Sequence, residues 1–177
     1  MDASIFSFLF SLGSKPWMTW FAVFCAEYLV YVLLIFFIIL LFKEKNFKKR
    51  IYFFLYVIVA ELMTRGIITE GIRYFYHRPR PFVALSLTPL IAHDPTASFP
   101  SGHTVFAVTL ALLFFFFGKK WGWTALGIAV LIGLGRIMVG VHWPSDVLFG
   151  VAIACVVFWI LFKLFPFKKE KRQEVIS

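Results

Sequence analysis

Residues 16–42 read PWMTWFAVFCAEYLVYVLLIFFIILLF, a run of 27 in which Glu27 is the single charged side chain. A helix needs about 20 mostly apolar residues to cross a hydrocarbon layer roughly 30 Å thick, so this stretch is read as a membrane crossing. The next eight residues, KEKNFKKR, bring Lys43, Lys45, Lys48, Lys49 and Arg50 together. Basic residues massed at the end of an apolar run mark the cytoplasmic face.

Outward from that run, four further apolar stretches extend over Ile51 to Tyr76, Gly102 to Phe117, Trp121 to Val141 and Asp146 to Leu164. The second of these four is short for a span and is expected to begin in the loop before it. At the start of the chain, Met1 to Ser14 holds Ile5, Phe6, Phe8, Leu9, Phe10 and Leu12. It is too short to cross and lacks the basic start of a signal peptide, so it reads as an interfacial or partly inserted helix. The fold class is therefore all-α: a polytopic membrane helical bundle of about five transmembrane helices plus an N-terminal interfacial helix, one domain over residues 1–177.

Composition agrees. With 61% hydrophobic residues, 15% charged residues and a mean hydropathy of +0.87, the chain carries more apolar surface than a soluble core of its size can bury, and disorder is excluded on the same grounds. The net charge of +9 does not indicate nucleic acid, because the 18 Lys and Arg residues are clustered between the apolar runs. Five crossings put Lys43 to Arg50, the pair Lys119 and Lys120, and the tail with Lys163, Lys168, Lys169, Lys171 and Arg172 on one cytoplasmic side. Trp17, Trp20 and Trp143 then belong to an outer aromatic belt, and Trp121 and Trp123 to an inner one. Cys25 and Cys155 lie inside apolar runs without metal-ligand spacing and read as buried small hydrophobes.

The remaining basic residues are Lys15, Arg65, Arg73, Arg78, Arg80 and Arg136. A charge at mid-membrane costs about 2.5 to 3.5 kcal/mol on insertion scales, so partners or a function must offset it. Glu61 and Arg65, four apart, and Glu70 and Arg73, three apart, each share one helical face, and Glu61 and Arg65 are expected to form a structural ion pair inside the bundle. Glu27 either joins the first pair or faces a polar cavity. Arg73, Arg80 and Arg136 map to the outer ends of their segments, together with His77, His93, His103 and His142. Guanidinium groups that converge without matching carboxylates suit an anion, and phosphate in particular.

Phe99-Pro100-Ser101-Gly102-His103 adds a helix start, with Ser101 placed to cap it and the amides of Gly102 and His103 free to meet an anion. Farther on, Asp146 follows His142 by four residues, close enough to accept a hydrogen bond from its ring and leave the other nitrogen free to attack or take a proton. Charges at several depths would suggest a small transporter, but only Glu27, Glu61 and Arg65 lie away from the outer end.

These residues resemble the signature of the type 2 phosphatidic acid phosphatase superfamily, which is Lys, six residues, Arg-Pro; then Pro-Ser-Gly-His; then Ser-Arg, five residues, His, three residues, Asp. Here the parts are Arg73 with Arg80-Pro81, then Pro100-Ser101-Gly102-His103, then Gly135-Arg136 with His142 and Asp146. The resemblance spans residues 73–146. Arg73 replaces the usual Lys and Gly135 the usual Ser, which removes one side-chain hydrogen bond to phosphate.

The resemblance implies hydrolysis of a phosphoester or pyrophosphate through a phosphohistidine, without cofactor or metal. His142 is then the nucleophile, Asp146 its orienting carboxylate and His103 the acid and base. Arg73, Arg80, Arg136, Ser101 and Gly102 hold the substrate. It further implies a lipid phosphate substrate at a plasma-membrane site open to the periplasm or cell exterior. The stretch from His77 to Val83, with His93-Asp94 and Ser98 to Pro100, looks most like bacterial undecaprenyl-diphosphate phosphatases. Phosphatidylglycerophosphate and lipid A phosphatases are the alternatives.

Overall fold

Pro16 opens the first long helix at a position where its missing N–H costs nothing, and the computed structural model, which describes residues 1–166, carries that helix on to Lys43. Among the described residues seven helices follow one another: α1 Asp2–Gly13, α2 Pro16–Lys43, α3 Phe47–Phe75, the one-turn α4 Pro81–Ala84, α5 Gly102–Phe116, α6 Lys119–Met138 and α7 Pro144–Leu164. Four of them, α2, α3, α6 and α7, are long and apolar enough to cross a membrane. The helix α5 is shorter, and every residue from Gly102 to Leu113 except His103, Phe106 and Leu112 is buried.

The expectation that the α5 segment begins in the preceding loop is corrected: Ser101 is its N-cap, and the helix starts at Gly102. The loop itself supplies the missing height. Ser98, Pro100 and Ser101 are buried, so the chain enters the bundle as loop and turns helical only inside it. The backbone N–H of Ser101 donates to the Asp146 carbonyl at 3.0 Å, tying the start of α5 to the start of α7.

Two long helices are interrupted by π turns, Phe24–Tyr28 in α2 and Leu62–Thr69 in α3. Threonines mark the second. The Thr64 hydroxyl donates to the Ala60 carbonyl and the Thr69 hydroxyl to the Thr64 carbonyl, both at 2.8 Å, holding the widened ladder.

The end of the bundle formed by Lys43 to Arg50, Gly118 to Lys120 and Leu164 is packed with aromatic rings. Phe53 stacks on Phe116 at 5.1 Å, and Phe37 meets Phe114 and Phe117 edge-on at 5.5 Å. The Tyr52 hydroxyl donates to the Phe165 carbonyl at 2.6 Å. Lys43, Lys119 and Lys163 stand at this end, while Lys168, Lys169, Lys171 and Arg172 lie outside the described residues.

The opposite end is different in kind. It gathers α1, the close of α3, the loop with α4, and the starts of α5 and α7. The helix α1 is docked rather than loose: Phe6 is fully buried and packs against Phe10 and Trp143. Trp143, expected in an aromatic belt, is therefore a core residue, its indole N–H donating to the Pro79 carbonyl at 3.0 Å. Trp17, Trp20 and Trp123 do face outward. Cys25 is buried as expected, but Cys155 is exposed on α7.

Candidate active site

The dipeptides Arg78-Pro79 and Arg80-Pro81 hold this stretch of loop extended, because a proline drives the residue before it out of the helical region. Extended backbone carries both arginines inward beside the start of α7, where each takes a different partner. Arg80 Nη1 lies 3.3 Å from His142 Nε2 and donates to the Val141 carbonyl at 3.0 Å. Its other nitrogen, Nη2, reaches Thr96 and the Ala97 carbonyl, each at 3.2 Å. Arg78 Nη1 grips Asp146 Oδ1 at 2.7 Å and Ser145 Oγ at 2.6 Å.

His142 is 1% exposed, Asp146 0%, and Arg80 and Arg136 2% each. Asp146 Oδ2 is 3.6 Å from His142 Nδ1, an ion-pair separation longer than a hydrogen bond, and Nδ1 has no hydrogen-bond partner. The sequence expectation of a ring-to-carboxylate hydrogen bond is corrected to this extent. The carboxylate is engaged elsewhere: Oδ2 accepts from the Trp143 backbone N–H at 2.8 Å, closing a capping box at the start of α7. Burial first, and then the charges of Arg136, Arg80 and Arg73, hold His142 well below the usual histidine range. The same causes act on Arg80, whose guanidinium is lowered to about 10 by burial and by Arg73.

Arg73, in the last turn of α3, donates from Nη2 to the Pro100 carbonyl at 2.9 Å and from Nη1 to Glu70 at 3.2 Å. Arg136, in the last turn of α6, makes one long contact, 3.4 Å from Nη1 to the Ala26 carbonyl in the π turn of α2. Buried donors remain unmatched on all three arginines: Nε of Arg73 and Arg80, and Nε and Nη2 of Arg136. Arg136 also lines a cavity of about 280 Å³, together with Glu27, Tyr28, Tyr31, His93 and His103. Glu27 thus faces the polar cavity.

Ser101 occupies the N-cap of α5, but its hydroxyl makes no capping bond and accepts from Thr104 Oγ1 at 3.0 Å. Capping by its side chain is corrected, which leaves the first-turn amides of Gly102 and His103 with no acceptor one turn back. At Gly135 a Cβ would stand 2.8 Å from the Ala26 nitrogen and the Cys25 Cβ. The absent side chain serves the contact of α6 with α2, not the cavity.

The expected pair of Glu61 and Arg65 does not form. Arg65 binds Glu70, and both carboxylate oxygens of Glu61 are buried without a hydrogen-bond partner. His77 remains at the surface, while His93 reaches the site with its ring 6.5 Å from that of His142.

Sequence reading missed Arg78 and Asp2 as site residues. Asp2 Oδ2 accepts from Arg78 Nη2 and Ser145 Oγ, both at 2.6 Å, and Oδ1 from the Ser145 N–H at 3.0 Å. Burial raises the Asp2 carboxyl, but the hydrogen bonds from Ser145 and Arg78 outweigh it and leave the group below its ordinary value. Arg78 had one signal, its place between His77 and Pro79 in the run that also carries Arg80. Asp2 had none. Among the described residues, no three His, Cys, Asp or Glu side chains are grouped to hold a metal ion.

A profile of the PAP2 superfamily matches residues 53–170. Undecaprenyl-diphosphatase BcrC of Bacillus subtilis is 35% identical over 142 residues, covering 80% of this chain and 72% of that one. A lipid A 1-phosphatase of Rhizobium etli is 33% identical over 96 residues, 49% of this chain and 40% of that one. Among solved structures, Aquifex aeolicus LpxE superposes with a TM-score of 0.68 at 28% identity, covering 92% of this chain and 94% of that one. The PAP2 type phosphatidylglycerolphosphate phosphatase of Bacillus subtilis, at 24% identity and a TM-score of 0.63, covers 94% of this chain and 87% of its own, and shares the fold. Profile, relatives and fold agree, and the chain belongs to the PAP2 superfamily.

Proposed function

We propose that the protein is a membrane lipid phosphatase that converts undecaprenyl diphosphate to undecaprenyl phosphate and inorganic phosphate, at a plasma-membrane site facing the periplasm or cell exterior. The observation that carries this reading is the set of buried, unmatched guanidinium donors on Arg73, Arg80 and Arg136 around His142. Buried donors without acceptors are expensive, and a phosphoryl group with three equatorial oxygens is the ligand that satisfies them together. The curated relatives named undecaprenyl-diphosphatase support the choice of lipid, the Bacillus subtilis protein above and one from Sulfolobus acidocaldarius that is 36% identical over 59% of this chain.

His142 Nε2 attacks phosphorus, since Nδ1 is turned to Asp146. Neutral imidazole is the nucleophilic form, and the arginines that keep His142 neutral also neutralise the charge on the transferring group. Asp146, clamped by Arg78 and the Trp143 amide, steadies the ring once it carries phosphate and positive charge. His103 protonates the leaving oxygen and then takes a proton from the water that releases phosphate. Ser101 and the Gly102 amide complete the hold on the equatorial oxygens.

The test is phosphate release from purified lipids in detergent with chelator present, over a panel of undecaprenyl diphosphate, phosphatidylglycerophosphate and lipid A. Undecaprenyl diphosphate should give the highest kcat/KM, and chelator should not reduce it. A clear preference for either of the other two lipids overturns the substrate, and loss of activity on chelation overturns the scheme.

A further inference from the structure

His103 lines two adjoining hollows. One is the polar cavity already described, and the other, of about 230 Å³, is walled by Val30, Tyr31, Leu34 and Phe106 with Arg65 and Gly102 at its polar end. His93, which lines the first hollow, has its ring 6.5 Å from that of His142, so if His142 attacks from beside that hollow and His103 serves the leaving oxygen, whatever is attached to that oxygen extends past His103 into the second. For a monophosphate lipid, that portion begins with carbon. For a diphosphate it begins with another anionic phosphate, and a wholly apolar wall would meet it badly.

Arg65 is the charged residue at that point. It is carried on the π turn of α3 and approaches the first turn of α5 so closely that a Cβ on Gly102 would lie 2.7 Å from its Nε. Glu70 accepts from Nη1 of both Arg65 and Arg73, so one carboxylate is shared by two guanidinium groups and the trio keeps a net positive charge. Among the described residues, Nε and Nη2 of Arg65 make no hydrogen bond, and its side chain is 40% exposed. Neither the signature arginines nor the scheme above uses it.

We infer that Arg65 is the subsite for the lipid-side phosphate of a diphosphate substrate and sets the preference for diphosphate over monophosphate lipids. This rests on the lipid phosphatase reading above. In the first step, a bond forms between His142 Nε2 and the terminal phosphorus while the bond from that phosphorus to the bridging oxygen breaks. The electron pair goes to the bridging oxygen, which takes its proton from His103 and leaves as part of the lipid monophosphate held by Arg65. Water then adds to the phosphohistidine, its proton passes to His103, and the pair of the N–P bond returns to Nε2.

The experiment compares a prenyl diphosphate and a prenyl monophosphate of equal chain length on the purified protein in detergent. Arg65→Gln should lower kcat/KM for the diphosphate by about tenfold to 100-fold, the range of a hydrogen bond to a charged group, and shift the ratio of the two substrates toward the monophosphate. Arg65→Lys should restore part of the ratio. Equal losses on both substrates, or no loss on either, would overturn the subsite. Glu70→Gln frees Arg65 without removing its charge, so a diphosphate preference lost as fully in Glu70→Gln as in Arg65→Gln would show a structural pair instead.

An independent readout uses competition by inorganic pyrophosphate and inorganic phosphate against whichever lipid phosphate the wild type hydrolyses. Pyrophosphate should compete more strongly in the wild type, and Arg65→Gln should remove that advantage. Its persistence in the variant overturns the subsite. The lipid preference of the wild type decides the substrate reading, whereas the change made by Arg65→Gln decides the role of Arg65.

Discussion

The two ends of this bundle are built on opposite principles. At the end near Lys43 and Lys119, rings fill space against rings: Phe37 meets Phe114 and Phe117, and Phe53 meets Phe116 and Phe117, at centroid separations of 5.1 to 5.5 Å. At the other end, Arg80, Arg136 and His142 are buried and Arg73 half-buried, each with a buried donor or ring nitrogen unmatched. One end is closed by ring packing that leaves the Tyr56 hydroxyl unmatched, while the other has positive charge held ready for an anion. The difference teaches that stability and chemistry are spatially divided here. The strain of burying like charges is tolerated where function needs it because the far end supplies packing.

The sharpest way to break this division is His142→Ala. It should reduce turnover about 10⁴-fold or more and remove any acid-labile phosphoenzyme, while the melting temperature stays level or rises. A phosphoenzyme trapped at wild-type levels would assign the nucleophile elsewhere. At the aromatic end, Phe53→Ala should cost about 3 to 5 kcal/mol of stability through the cavity it leaves, read by thermal unfolding. The protein still folded at low temperature should keep its KM and pH profile, and an altered profile would show that the ends are coupled.

Arg78→Met removes the clamp on Asp146 without touching the proposed phosphate ligands. It should lower kcat roughly 10-fold to 100-fold with little change in KM, the range for a residue acting through a directly engaged one. An equal rise in KM would place Arg78 on substrate instead. The smallest expected effect is on pH dependence. His142 is depressed below 6.5, so the reactive neutral form persists as pH falls through 6.5, and the acid limb of kcat/KM for the free enzyme should lie below that value. An acid limb above 6.5 would mean that the arginines do not govern the histidine.

Much of this was legible in the sequence. The long apolar runs and their basic ends gave the helices and their alternation, because hydropathy needs no tertiary information. The spacings around Arg73, His103 and His142 brought out the residues that the fold draws to one end. The errors have particular causes. Pairing Glu61 with Arg65 assumed 3.6 residues per turn, but the π turn over Leu62–Thr69 widens the ladder, and Arg65 meets Glu70 five residues on. Asp2 could not be found because its partners, Arg78 and Ser145, are brought to it only when α1 docks. Trp143 looked like an interfacial ring because nothing local shows that Phe6 will cover it.

Gly135 sets how closely two helices can run. Where the family signature has serine, a Cβ would stand 2.8 Å from the Ala26 nitrogen and the Cys25 Cβ, in space that α2 already fills. A serine there would force α6 away from α2 by overpacking before it offered phosphate a hydroxyl. Because the Ala26 nitrogen and the Cys25 carbonyl carbon are backbone atoms, trimming side chains on α2 would not make the room, and a hydroxyl at this position comes only at the expense of the helix contact itself.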